Sequence, residues 1–167
     1  MTASLVSALQ ALNEQPWSVA VRESVWMYPI IESVHVLTIS LFVGYAVFLD
    51  LRLLGIYLEA RPVSEVAAAF LPRTRVAFIL MVLTGALLFL ANPVAFSHNV
   101  FVQAKLVTIV LAAINILVYH QIVAADIQRW DKASLPPLRA RISGGLSILF
   151  WMSVLACGRL IAYNWFK

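Results

Sequence analysis

Four long apolar stretches, separated by short polar segments, dominate the pattern of hydrophobic and polar positions along the chain. They cover residues 29–51, 76–96, 101–123 and 145–163. Each has about 20 residues, and a helix of that length rises about 30 Å, enough to cross the hydrocarbon core of a bilayer. Because the connections are short, consecutive helices should be antiparallel neighbours. The pattern predicts an all-α integral-membrane bundle of four up-and-down helices.

A shorter pattern precedes the first span. Leu5, Leu9 and Leu12 recur at helical spacing among polar residues, which predicts a short amphipathic helix at the membrane interface. The first residues have no basic segment followed by a long apolar one, so no cleaved signal peptide is expected. Since no connection is long enough to fold by itself, residues 1–167 are interpreted as a single transmembrane domain.

Composition supports the same class and excludes others. Of the 167 residues, 62% are hydrophobic and only 12% are charged, whereas about a quarter of the residues in soluble domains are charged. The single cysteine, Cys157, cannot form a disulfide within the chain. There is no glycine-rich phosphate loop, HExxH motif, paired-cysteine motif or nucleophile elbow.

The basic residues are concentrated in two of the three connections. Membrane topology therefore explains the net charge of +4 better than nucleic-acid binding does. Eight of the twelve Lys and Arg residues lie in the first and third connections: Arg52, Arg61, Arg73, Arg75, Arg129, Lys132, Arg139 and Arg141. These two connections share a side, which the positive-inside rule makes cytoplasmic. The sequence thus predicts that both termini lie outside, which in a Gram-negative bacterium is the periplasm. Pro72 is expected in the first connection, and Asp50 and Arg52 as a solvated pair beside it.

Four ionisable residues from three spans fall at a similar depth in the outer half. Glu32 and His35 lie about 5 and 9 Å below the outer end of span one, at 1.5 Å per residue. Lys105 and Arg159 lie about 6 Å below the outer ends of spans three and four. Since such residues are costly in hydrocarbon, we expect Glu32 to pair with Lys105 or Arg159. Its three-residue spacing from His35 predicts that both face the bundle interior.

The three histidines suggest a cofactor. His120 lies about 20 Å from His35 along the bundle, too far to share one haem or one metal ion. His98, in the short outer connection, can reach the depth of His35, and two histidines on facing elements suit the axial positions of a b-type haem. His120 is expected to have a structural or interfacial role rather than to be a ligand.

The other ionisable residues at this depth also have roles in the haem hypothesis. Lys105 and Arg159 would pair with the haem propionates, and Glu32 would orient an axial ligand. Two alternatives use the same residues. A copper or zinc ion could bind His35 and His98, with or without Cys157. A proton or quinone route could follow polar residues on span three, although such residues also hold helices together. Those residues are Lys105, Thr108, Asn115 and Tyr119.

Three short stretches carry a family resemblance. ESVHVL at 32–37, DLRLLG at 50–55 and GRLIAY at 158–163 resemble those of a family of small four-span bacterial inner-membrane proteins without an assigned function. This resemblance implies that Glu32, His35 and Arg159 belong to a common core. In architecture the chain is similar to four-helix membrane b-type cytochromes, although it has three histidines where two-haem members need four.

The sequence favours a small integral-membrane protein that binds haem b and transfers electrons near the outer face. Its expected surroundings and partners are the lipid bilayer and a quinone or a periplasmic redox protein, with no nucleic acid. Whether it is a membrane oxidoreductase stays open. The alternatives are a copper or other metal-binding or assembly protein and a small proton-coupled transporter subunit. A homo-oligomer is expected, because four short spans enclose little volume.

Overall fold

A computed structural model describes residues 3–163, in which all the regular secondary structure is helical. Four segments are long and apolar enough to cross a membrane, so the chain is an all-α multi-pass membrane protein, as predicted. Helix α6 continues from Val118 into a π-helix and then a 3₁₀-helix. The elements are α1 (Ala3–Asn13), α2 (Pro16–Glu23), α3 (Met27–Leu54), α4 (Val63–Ala91), α5 (Pro93–Ser97), α6 (Val100–Val118), the π-helix (Tyr119–Val123), a 3₁₀-helix (Ala124–Arg129), α7 (Leu138–Leu160) and a last 3₁₀-helix (Ile161–Tyr163).

Helix α4 differs most from the predicted spans. It begins at Val63, directly after Pro62, well before the predicted start at residue 76. Pro72 lies inside it, so the expectation that Pro72 belongs to a loop was wrong. A proline removes one helical hydrogen bond and is tolerated in membrane helices where other groups satisfy the backbone. The carbonyl that loses its helical donor is that of Ala68, and the Arg73 side chain donates to the next carbonyl, that of Ala69.

The four long helices form an open row rather than a closed ring. Helix α3 packs against both α4 and α7, and α7 packs against α6, whereas α4 and α6 have little contact. All four contribute to one apolar core, made of Ile39, Phe42, Val43, Ala77, Met81, Ala112, Trp151 and Val154. Gly144 brings α7 close to α3, because a Cβ there would lie 2.9 Å from the backbone oxygen of Asp50.

Helices α1 and α2 lie at one end of the bundle, together with α5 and residues 161–163. We call this the terminal end. One interfacial helix was predicted before the first span, and the structure has two, α1 and α2. Helix α2 caps α4, since Ser18 and Arg22 both donate to the carbonyl of Ala91. These bonds satisfy carbonyl groups that the end of a helix leaves unpaired. The side chain of Leu5, part of the predicted amphipathic pattern, lies outside the described residues.

The opposite end, which we call the basic end, contains the two basic connections, residues 55–62 and 124–137. Arg52 is fully buried there and joins both connections. Its Nε donates to the carbonyl of Arg61 at 2.8 Å, and its Nη2 donates to that of Ala133 at 2.8 Å. Asp50 is buried as well, with 6% exposure, and bonds to Ser147 instead. The expectation of a solvated Asp50–Arg52 pair was therefore wrong, because each residue has its own buried partners.

Candidate functional site

His35 lies in the half of the bundle nearer the terminal end and is held by α4. Its Nδ1 is 3.1 Å from the carbonyl oxygen of Met81 and 3.0 Å from Oγ1 of Thr84. The Thr84 hydroxyl donates to the carbonyl of Leu80 at 2.8 Å. A carbonyl can only accept, so Nδ1 carries a proton and the neutral ring keeps a lone pair on Nε2. Among residues 3–163 the hydrogen-bond partners of His35 contact Nδ1, so Nε2 is the ring nitrogen that could hold a metal.

Gly85 fixes the position of this ring. A Cβ built on Gly85 would lie 3.0 Å from Cε1 of His35 and 3.5 Å from its Nδ1. The imidazole therefore lies directly against the backbone of α4, which only a residue without a side chain permits. Two hydrogen bonds and this contact together limit the orientations that the half-buried ring can adopt.

Lys105, on α6, is the second ionisable residue that the structure brings inward. It is half-buried, and its Nζ is 3.6 Å from the position that a Cβ would take on Gly158 of α7. Lys105 of α6 and Gly158 of α7 therefore lie close together in the half of the bundle that contains His35. Of the four ionisable residues expected to converge, His35 and Lys105 are the two that are half-buried.

Glu32 does not share this interior position. It is exposed and lines a shallow, open depression on α3 with Ser33, Val36 and Ser40. The difference has a simple cause: a spacing of three residues turns the helix by about 300°, so Glu32 and His35 are offset by about 60°. That offset is enough to separate an inner position from an outer one on a helix with few neighbours.

Arg159 is exposed near the terminal end of α7. Its guanidinium carbon lies 5.5 Å from the centre of the Tyr163 ring, and its Nη2 is 3.4 Å from the Tyr163 hydroxyl. No ion pair joins Arg159 or Lys105 to Glu32 among residues 3–163, where the two salt bridges are Arg61–Glu65 and Arg139–Asp126.

The other two histidines are exposed. His98 follows α5 at the terminal end, where Asn99 then caps α6 by accepting from the backbone N–H groups of Phe101 and Val102. His120 lies on the π-helix towards the basic end, with its ring 5.4 Å from that of Tyr119. This position fits the interfacial role expected for His120.

Protein side chains alone do not assemble a metal site in the described part of the chain. No group of three or more His, Cys, Asp or Glu residues between residues 3 and 163 is arranged to hold a metal ion. Cys157 is a free, half-buried thiol.

A buried polar seam joins α3, α6 and α7; sequence reasoning named Asn115 as a residue that could hold helices together, but it missed Ser143 and Ser147 and the burial of Asp50. Ser147 donates to a carboxylate oxygen of Asp50 at 2.7 Å. Asn115 donates to the carbonyl of Ser143 at 3.0 Å, and the Ser143 hydroxyl donates back at 3.2 Å. The available signal was the spacing on α7, since Ser143 and Ser147 are four residues apart and flank Gly144, so they lie on one face.

Comparison with known proteins identifies the family. The model of a protein family described as "Family of unknown function (DUF6644)" matches residues 25–164, and the chain therefore belongs to that family. The matched region includes all four long helices. Neither the curated proteins nor the solved structures gave a match.

Proposed function

We propose that this member of the DUF6644 family is a small integral-membrane haem protein that transfers electrons near its terminal end. In this proposal His35 is an axial ligand of haem b. The supporting observation is the hydrogen bonding of the ring: Nδ1 lies 3.1 Å from the carbonyl oxygen of Met81, to which it can only donate, and Nε2 has no hydrogen-bond partner among residues 3–163. Histidines that bind metals almost always donate their other N–H to a carbonyl, a carboxylate or water, which sets the tautomer and the ring orientation.

Haem fits these residues better than a bare metal ion does. A copper or zinc ion needs about three or four ligands from the protein, and the described residues contain no such group. Haem supplies four nitrogens of its own, so the protein needs only one or two axial ligands. We propose His35 as the first of these ligands and His98 as the second, because His98 lies on the short connection at the same end of the bundle.

The cations of this region have a proposed role with the propionates. Lys105 is half-buried at the level of His35, where an ammonium stabilises a carboxylate strongly because little water screens it. Arg159 directly follows Gly158 on α7. A Cβ built on Gly158 would lie 3.6 Å from Nζ of Lys105. Glu32, proposed to support an axial ligand, is exposed one turn from His35 and makes no hydrogen bond to it in the described residues.

The chemistry and the orientation complete the proposal. When bound, haem supplies a one-electron redox centre. The protein would orient it through His35 and keep a positive charge beside it through Lys105. We place the basic end in the cytoplasm by the positive-inside rule, which puts the termini and His35 near the periplasmic face of a bacterial inner membrane. A quinone or a periplasmic redox protein would exchange electrons there, and the protein would act as a homo-oligomer.

Absorption spectra of the purified protein test this proposal. Protein made with sufficient haem supply should show a Soret band, and dithionite should sharpen the visible bands as iron is reduced. His35→Ala should lose these bands. His120→Ala is the matched control and should keep them, because His120 is exposed towards the other end. A folded wild-type protein without a Soret band, or an unchanged spectrum in His35→Ala, would contradict the proposal.

Two further variants test the details. His98→Ala should convert a six-coordinate spectrum to a five-coordinate one while haem is retained, if His98 is the second ligand. Gly85→Ala should lower haem occupancy, because a methyl group there would meet Cε1 of His35 at 3.0 Å and tilt the ring. Elemental analysis of the same preparations should find iron in proportion to the Soret band, and stoichiometric copper or zinc would favour the metal-binding alternative instead.

A further inference from the structure

Asp50 is a buried carboxyl group whose described partner is a neutral hydroxyl. It has 6% exposure and lies near the basic end of α3, and Oγ of Ser147 is 2.7 Å from its Oδ2. The ion pairs among residues 3–163 lie elsewhere, at the Arg61–Glu65 and Arg139–Asp126 pairs. A buried carboxylate without a cation is strongly destabilised relative to the neutral acid.

The groups around Asp50 do not supply a positive charge. Arg52, on the same helix, is directed to the connections, where it donates to the carbonyls of Arg61 and Ala133. From α7, Gly144 and Ser147 face Asp50. The π-helix contributes Tyr119, which packs against the apolar cluster that contains Leu53 of α3, and a phenol carries no positive charge in either protonation state.

Polar groups also lead from this carboxyl group towards the basic end. Ser143 lies one turn of α7 before Ser147, on the same face, and is bonded to Asn115 of α6. The π-helix Tyr119–Val123 follows α6 directly at this level, and single π-helical turns occur frequently at functional sites. Asp50 keeps 6% of its surface accessible, so the protein does not enclose it completely.

We infer that Asp50 and Ser147 form a proton-binding site at the interface of α3 and α7, where Asp50 carries a proton at neutral pH and exchanges it with water at the basic end. The Ser147 hydroxyl donates to one carboxyl oxygen, and the proton resides on the other. Release of the proton leaves a carboxylate that keeps the bond from Ser147. This site lies in the opposite half of the bundle from His35 and does not depend on haem.

Infrared spectroscopy of the purified protein in lipid tests the inference. A protonated carboxyl group absorbs through its C=O stretch, apart from ionised carboxylates and the amide bands. The wild-type protein should show such a band at neutral pH, and Asp50→Asn should remove it. Glu65→Gln is the control and should leave the band unchanged, because Glu65 is exposed and paired with Arg61.

Two measurements distinguish a proton-binding site from a buried acid that never exchanges its proton. They also test the inference if Asp50→Asn fails to fold. In wild type the band should shift on transfer to D₂O and disappear at high pH. In Ser147→Ala it should persist but move to higher frequency, because the carboxyl group loses a hydrogen bond. A spectrum without the band, a band that Asp50→Asn or Ser147→Ala leaves unchanged, or a band that neither titrates nor shifts in D₂O would overturn the inference. His35→Ala should keep the band, so failure of the haem proposal would leave this result intact.

Discussion

The two halves of the bundle differ in how deeply they bury the polar residues singled out above. Towards the terminal end, Glu32, His98 and Arg159 are exposed, and His35 and Lys105 are only half-buried. Towards the basic end, Arg52, Asp50 and Asn115 are buried, with 0%, 6% and 9% exposure. The same four apolar helices run through both halves, so the composition of the spans alone does not explain the difference.

The availability of partners explains it. At the basic end, the two connections offer backbone carbonyls to Arg52, and α7 offers hydroxyls to Asp50 and Asn115. A buried polar group is tolerated where its hydrogen bonds are made. His35 has partners for Nδ1 only. We therefore expect variants at the basic end to change stability and those around His35 to change cofactor binding.

The largest loss of stability is expected for Arg52→Ala. Removing its bonds to the carbonyls of Arg61 and Ala133 disconnects the two connections and leaves both carbonyls unpaired. We expect roughly 3 kcal/mol of destabilisation, since hydrogen bonds to charged groups contribute about 1.5–3 kcal/mol each. The Nη1 atom of Arg52 is buried without a partner, which offsets part of that contribution.

Thermal unfolding in detergent, followed by circular dichroism, measures this effect. Arg75→Ala is the matched control, because Arg75 is exposed on α4, and it should unfold close to the wild-type temperature. Arg52→Lys should fall between the two, since one ammonium cannot reproduce the fork of a guanidinium. Equal unfolding temperatures for Arg52→Ala and Arg75→Ala would show that the basic end is not held together by Arg52.

Gly144→Ala should have the next largest effect. The added methyl group would lie 2.9 Å from the backbone oxygen of Asp50 and 3.1 Å from Cβ of Leu53. Because neither atom is the far end of a flexible side chain, α3 and α7 must separate, at a cost of about 1–3 kcal/mol. Gly44→Ala, where nothing lies within 4 Å, should be neutral or stabilising by up to about 1 kcal/mol. Unfolding temperatures that change alike in both variants would contradict the close approach.

Loss of the Asn115–Ser143 pair should cost less. Asn115→Ala removes both hydrogen bonds of the pair, and such bonds between membrane helices contribute about 0.6 kcal/mol on average and up to about 1.7. A double-mutant cycle with Ser143→Ala, measured by unfolding in mixed detergent, should give a coupling energy in that range. Additive single-variant effects would show that the pair contributes nothing beyond its separate side chains.

The smallest effect concerns Asp131, outside the membrane spans. Burial raises its pKa, but hydrogen bonds from the hydroxyl and backbone N–H of Ser64 and the charges of Arg52 and Lys132 outweigh this, so the pKa lies below its usual 3.8. Asp131→Asn should cost well under 1 kcal/mol, since the group is near solvent. Because the folded-state pKa is the lower one, this contribution is present above the unfolded value and is lost as pH falls through the lowered pKa.

Stability of wild type and Asp131→Asn should therefore differ at pH 7 and converge under acidic conditions, in unfolding experiments over a pH series. Glu23→Gln, an exposed site on α2, is the control and should follow the wild-type curve. A difference between wild type and Asp131→Asn that persists at low pH would assign the effect to the shape of the side chain rather than to its charge.

The sequence by itself determined the number of spans, their order and the all-α class, because a helix that must cross hydrocarbon has to be apolar along about 20 residues whatever it packs against. It also indicated the approximate depth of each ionisable residue, since the rise per residue is fixed. The predicted start of the second span at residue 76 needed revision, because α4 begins at Val63 and continues through Pro72. A proline inside a membrane helix is tolerated where other groups satisfy the backbone.

Only the tertiary structure decided which polar residues turn inward. A rotation of about 60° separates exposed Glu32 from half-buried His35, and hydropathy along the chain does not specify which face of α3 meets α4. The burial of Asp50 and Arg52 depended likewise on the positions of Ser147 and of the carbonyls of Arg61 and Ala133, which are distant in sequence or lie in loops. In a chain that is apolar on nearly every side, depth follows from sequence, but the partners that a polar side chain finds follow from packing.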